Sequence, residues 1–190
     1  MVPPISVLSL VTSALVQLNI PYVLVGSFAS SIHGLYRATA DIDLVADIKD
    51  EQVTPLYEAL KGAFYVDEVA MRRAVTQTGS FNAIHFDSVF KVDIFTVKDD
   101  FAATELARRQ LRRLSPDREE SVYVASPEDT ILAKLRWYRA GNQFSTNQWG
   151  DVVGVVAVMR GSLDMPYLRD WAERLEVSDL LERVLEEVRT

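Results

Sequence analysis

The sequence predicts an α+β fold: a small mixed sheet with flanking helices, followed by a helical C-terminal region. Three observations carry this. Short apolar runs of strand length alternate with helically spaced stretches as far as Tyr123, the pattern of a sheet with packed helices. Beyond Val124 only helical patterns remain. Apolar residues make up 48% of the 190 residues, enough to close a core rather than leave the chain disordered.

Each element has its own signal. Ile5, Leu8, Leu10, Val11, Leu15 and Leu18 are spaced as one face of an amphipathic helix over residues 5–18, and Pro21 ends that region. Tyr22–Val25 is a short apolar run stopped by Gly26, as in a buried strand. Ser27–His33 can start a helix with Ser27 near its N-cap, and Gly34 closes it. Asp41–Ala46 alternates, which turns Ile42, Leu44 and Ala46 toward a core. A helix over 51–62 ends near Gly62. Phe81–Phe86 and Val89–Val97 read as antiparallel strands joined at Asp87–Ser88, and a helix over about 100–113 follows. Ser126 as N-cap, Pro127 at the first helical position and the acids Glu128 and Asp129 mark a helix start that leads to Arg139. After the polar loop Gly141–Thr146, helices over 147–160, 166–175 and 178–189 complete the chain, the last capped by Ser178. The expected division is an α/β core at 1–120 and a helical region at 121–190, without repeats or low-complexity linkers.

Composition excludes several function classes. No apolar run approaches the roughly 20 residues of a membrane span. The opening Met1-Val2-Pro3-Pro4 lacks the basic segment and small-residue cleavage site of a secretory leader, so a cytoplasmic protein without a membrane partner is expected. With no cysteine and two histidines, thiolate and histidine-based zinc sites are not expected, and His33 and His85 are expected to be structural. A net charge of −7 opposes nucleic-acid binding over the whole surface, which requires basic charge to displace counterions. Arg108, Arg109, Arg112 and Arg113 form the densest basic cluster. Following Asp99, Asp100 and Glu105, they suit the dipole of a solvated helix, with RNA contact the alternative.

The acids carry the chemistry. Asp41 and Asp43, at i and i+2 on a strand, point to the same side about 6 to 7 Å apart at Cα. Two like charges so placed require a cation or hydrogen-bond donors. Asp93 lies in Phe90-Lys91-Val92-Asp93-Ile94-Phe95, where an unpaired carboxylate would be costly. Three carboxylates on two strands suit a hard ion that bridges acids to phosphates. The alternatives are strand-edge surface acids for Asp41 and Asp43, and pairing with Lys91 or an arginine for Asp93. Gly26-Ser27 allows backbone to approach a ligand, and the start of the following helix attracts phosphate. A plain strand-to-helix turn has the same pattern.

Taken together, Val25-Gly26-Ser27, Arg37-Ala38-Thr39-Ala40-Asp41-Ile42-Asp43-Leu44 and Lys91-Val92-Asp93 make the chain resemble the DNA polymerase beta-like nucleotidyltransferase superfamily. Within it, the chain is similar to small bacterial proteins of the AbiEii-toxin and minimal-nucleotidyltransferase type. The run Ala125-Ser126-Pro127-Glu128-Asp129-Thr130-Ile131-Leu132-Ala133-Lys134-Leu135, with Asp151 further on, strengthens the match, which spans about residues 20–155.

The resemblance implies a nucleotidyltransferase-like fold and a definite set of roles. Gly26 and Ser27 would hold the triphosphate of an NTP, and Asp41, Asp43 and Asp93 would bind Mg²⁺ (or Mn²⁺), with general base a second role for Asp93. Lys134 would contact phosphates and Asp151 would orient it. Arg37 would bind phosphate or acceptor, or else pair with Asp41 or Asp43. The stretch from Arg139 to Trp149 is longer and more polar than in many relatives. Trp137, Tyr138 and Trp149 read as helix-packing aromatics, with base stacking the alternative. The implied activity moves a nucleoside monophosphate from NTP to a hydroxyl of tRNA or protein, with a cognate toxin or antitoxin as possible partner. A non-catalytic nucleotide-binding or antitoxin protein of the same fold is the competing reading.

Overall fold

The computed structural model describes residues 3–39, 41–113 and 121–189. Expectations that involve Met1 and Val2, Ala40 or a boundary at residue 120 lie outside the described residues. The chain forms two compact units: the described parts of Met1–Val25 and Thr39–Ala125, and the described parts of Gly26–Ala38 and Ser126–Thr190.

The first unit is built on a mixed sheet. Its strands are β1 (Tyr22–Val25), β2 (Asp41–Ala46), β3 (Phe64–Tyr65), β4 (Ser80–His85), β5 (Lys91–Thr96), β6 (Gln110–Arg113) and β7 (Ser121–Val124), in the order β3-β4-β5-β2-β1-β7-β6. β2 runs parallel to β5 and β1 parallel to β7, while the other neighbours are antiparallel. β1 is central and buried along its whole length, which explains its unbroken apolar run. β2 alternates as its sequence predicts, with Ile42, Leu44 and Ala46 fully buried and Asp41 exposed.

Helices α1 (Pro4–Gln17), α3 (Asp50–Leu60), α4 (Glu68–Thr76) and α5 (Asp100–Ala107) complete this unit. Pro4 sits in the first turn of α1, where its missing N–H costs nothing, and Val7, Leu8, Val11 and Leu15 form its buried face. Asp67 and Asp99 cap α4 and α5, their carboxylates accepting from the N–H groups of Ala70 and Ala102.

The second unit is helical: α2 (Gly26–His33), α6 (Pro127–Ala140), α7 (Thr146–Met159), α8 (Met165–Arg174) and α9 (Ser178–Glu187). Gly34, which follows α2, lies so close to α7 that a β-carbon there would stand 2.7 Å from the backbone nitrogen of Val155. Ser126 caps α6 and its hydroxyl donates to Asp129 Oδ2 at 2.7 Å, while the Tyr167 hydroxyl on α8 donates to Asp129 Oδ1. Glu128 Oε1 accepts from the N–H of Asp164, the residue that caps α8. The acids of Pro127-Glu128-Asp129 therefore tie α8 to the start of α6.

Three expectations are corrected. The helix expected over 100–113 stops at Ala107, because residues 110–113 pair with β7 as strand β6. Arg108, Arg109, Arg112 and Arg113 thus do not share a helix face. Ser178 is the first residue of α9 rather than its cap, and Val177 occupies the cap position without a side-chain bond. The sheet also extends further than expected, through β3, β6 and β7, and α4 fills the stretch between β3 and β4.

Candidate active site

The sheet unit presents a charged face. β2 and β5 pair in register, so that Asp41 stands opposite Lys91 and Asp43 opposite Asp93. Neighbouring strands are about 4.8 Å apart, and alternate residues share a face, so these four side chains occupy one corner of the sheet. Asn82 on β4 stands opposite Asp93 and its amide donates to Asp93 Oδ1. Lys91 Nζ lies 2.8 Å from Asp93 Oδ2 and 3.8 Å from Asp41 Oδ1. The hydrogen bond to Asp93, joined by the charges of Asp93, Asp41 and Asp43, holds the Lys91 ammonium above the usual lysine range.

As the side chains stand, no three His, Cys, Asp or Glu residues among the described residues converge to hold a metal ion. The donor set nevertheless fits a hard divalent cation, since it consists of carboxylate oxygens in register on adjacent strands with one ammonium against three acids. The cation that the acids require is here a lysine, so the pairing foreseen for Asp93 is present.

The helical unit presents a second cluster. Gly26 begins α2 with φ +65°, a left-handed conformation that glycine adopts without steric cost. Ser27, in the first turn of α2, does not act as a simple cap: its Oγ accepts from Arg37 at 2.8 Å and from Lys134 Nζ at 3.2 Å. Asp151 on α7 binds the guanidinium of Arg37 through both oxygens, at 3.0 and 3.1 Å, and Lys134 Nζ at 2.7 Å. Arg37 thus pairs with Asp151 instead of Asp41 or Asp43. Lys134 and Asp151 are nearly sealed from water, with side chains 5% and 7% exposed.

Burial pushes the Asp151 carboxyl up, but the hydrogen bonds from Arg37 and Lys134 outweigh it and hold the group below the usual carboxylate range. The same bond raises the Arg37 guanidinium above its ordinary value. Two cations, one carboxylate and a hydroxyl at the start of a helix leave a positive charge suited to an anion.

The remaining candidates have structural partners. His85 is buried, hydrogen-bonded to Ser88 and packed edge-on to Phe64, and His33 is buried as well. Arg139 pairs with Asp179. Trp149 packs against Tyr138 with ring centres 5.3 Å apart, under the guanidinium of Arg183, while Trp137 is exposed. Sequence reasoning missed Asn82. Only the β4–β5 register, which turns on the pairing Asn82–Asp93, could have revealed it.

Solved structures place this architecture in a class. An antigenic nucleotidyltransferase-like protein from Paracoccidioides brasiliensis matches with TM-score 0.57 at 17% identity, over 95% of this chain and 91% of that one. The crystal structure of ANT(2'')-Ia in complex with adenylyl-2''-tobramycin matches with TM-score 0.56 at 16% identity, over 90% and 95%. The lincomycin-bound lincosamide antibiotic adenylyltransferase LnuA matches with TM-score 0.51 at 12% identity, over 80% and 95%. At these identities the likeness is one of fold, and that fold is the nucleotidyltransferase fold. No curated protein is detectably similar in sequence. Residues 6–184 match the family described as "Nucleotidyltransferase of unknown function (DUF6036)", and the chain belongs to that family.

Proposed function

We propose that the protein transfers a nucleoside monophosphate from an NTP to an acceptor hydroxyl, using Asp41, Asp43 and Asp93 as ligands of Mg²⁺ or Mn²⁺. The observation that carries this is the register of β2 and β5, which sets Asp43 directly opposite Asp93 with Asp41 one pleat away. Carboxylates stacked in this way repel one another unless a cation or hydrogen-bond donors compensate, and beyond Lys91 and Asn82 a divalent ion would offset the charge that remains. When bound, the ion would neutralise phosphate charge and stabilise the attacking and leaving oxygens.

The chain's own residues supply positioning and charge. Lys134 and Arg37 donate to phosphate oxygens, with the Ser27 hydroxyl and the backbone at Gly26 beside them. Asp151 holds both cations in place while it leaves a positive balance for the phosphates. The acceptor oxygen forms a bond to the α-phosphorus, the bond to pyrophosphate breaks, and the hydroxyl proton leaves to a base. Asp93 is the candidate for that base if it is not occupied as a ligand.

The likeness of the sequence motifs to AbiEii-type proteins supports a setting in a toxin–antitoxin or defence system, with a tRNA or protein hydroxyl as acceptor. The net charge of −7 favours a protein over a polyanionic RNA. Two fold neighbours are named for antibiotics, so small hydroxylated molecules belong in the same screen. The test is incubation with Mg²⁺ and each α-labelled NTP in the presence of tRNA, lysate protein or such small molecules. Label should appear on one acceptor class and vanish in Asp43→Asn, whose fold remains intact. Transfer that persists in Asp43→Asn refutes the reading. No nucleotide or metal affinity by calorimetry would instead favour a non-catalytic antitoxin or regulatory partner.

A further inference from the structure

Lys91 occupies an unusual place for a surface lysine. Its ammonium lies 2.8 Å from Asp93 and 3.8 Å from Asp41, on the same face as Asp43. Asp93 is shielded, with a side chain 14% exposed, whereas Lys91 is 40% exposed and hangs on a flexible stem. A hard divalent ion sits about 2.1 Å from its carboxylate oxygens. An ammonium 2.8 Å from the same oxygen would then lie about 4 Å from the ion, two cations repelling each other without a screening group between them. Their repulsion disfavours both cations holding Asp93 Oδ2 at once. The charges point the same way: three carboxylates and one ammonium leave an excess of two negative charges until the ammonium departs, and three afterwards.

We propose that the Lys91 ammonium and a divalent cation alternate on this acid face, Lys91 holding Asp93 in the free protein and swinging out when an ion takes the carboxylate oxygens. This rests on the reading of Asp41, Asp43 and Asp93 as metal ligands. Lys91 is then a built-in competitor that keeps metal affinity low until a substrate bringing its own phosphate oxygens tips the exchange. It also keeps the paired acids compatible with a folded sheet when no ion is present.

Mn²⁺ binding to the full chain without nucleotide, followed by electron paramagnetic resonance, tests this. Lys91→Met should bind Mn²⁺ at least about tenfold more tightly than the unmodified chain, as expected when a unit charge is removed from beside the ion. Lys91→Arg should stay near the unmodified value. Lys91→Gln, which keeps a polar stem, should shift in the same direction as Lys91→Met and serves if the latter folds poorly. Adding Asp43→Asn to either neutral variant should abolish the tight site. Unchanged or weaker affinity in both neutral variants, with binding still dependent on Asp43, overturns the alternation and leaves the metal reading intact. Mn²⁺ binding indifferent to Asp43 overturns both.

Discussion

Replacing Asp151 with Asn should destabilise the helical unit by about 3 kcal/mol. Asp151 and Lys134 are both nearly buried and 2.7 Å apart, and removing one partner of a buried pair typically costs about 3–5 kcal/mol because it strands the other charge. The bidentate arm to Arg37 adds less, since that side chain is 37% exposed and such pairs contribute about 1 kcal/mol or less. The Asn oxygen can still accept one bond, which brings the sum to the lower end.

Urea denaturation measures it: with a slope of about 2–3 kcal/mol/M for a chain of this size, the midpoint should fall by about 1 M. Adding Lys134→Met should recover part of the loss, because the stranded ammonium is removed with its partner. The pH dependence follows from the depressed Asp151 pKa. A carboxyl bound more weakly by protons in the folded than in the unfolded chain stabilises the fold above its unfolded value of about 3.9, and that stability is lost as pH falls through the lower folded value. The gap between the unmodified chain and Asp151→Asn should hold steady from neutral pH to about 5 and close only below about 4. A loss under 1 kcal/mol, or a double variant as unstable as the sum of the single ones, would refute the reasoning.

Gly34→Ala should destabilise by about 1–3 kcal/mol, because the new β-carbon meets α7 backbone at Val155 and Gly154 rather than a side chain that can move; a thermal melt with no downward shift would contradict this. Tyr167→Phe should cost about 1.5–3 kcal/mol by removing a donor to the fully buried Asp129, read from the urea midpoint. Ser126 still bonds that carboxylate in the variant, so the helical unit should remain folded.

Much of the fold is legible along the chain because it rests on local patterns. β1 and β2 announce themselves by a continuous and an alternating apolar pattern, and α6 by its serine, proline and two acids. The sequence of β6 suggests a helix because acids followed by arginines suit a helix dipole, and only pairing with β7 makes Gln110–Arg113 extended. α4 is a short helix that buries only Met71 and Ala74 and leaves the apolar Val69 exposed, so its sequence does not single out one core face, and two-residue β3 is too short to show a period.

The candidate residues divide in the same manner. Residue types and spacing nominate Asp41, Asp43 and Asp93, because like charges two apart on a strand and an acid among apolar neighbours are costly without a compensating partner, and they offer Ser27 at the start of a helix. Arg37, Lys134 and Asp151 are nominated by the resemblance to the nucleotidyltransferase superfamily instead. Their partners were decided by tertiary structure alone. Strand register brings Lys91 and Asn82 to Asp93, and the packing of α2, α6 and α7 closes Arg37, Lys134 and Ser27 around Asp151. A local sequence pattern can specify which charges exist and which side of a strand or helix bears them. Which opposite charge arrives to neutralise each one depends on contacts between residues as far apart as Arg37 and Asp151, and those form only when the elements pack.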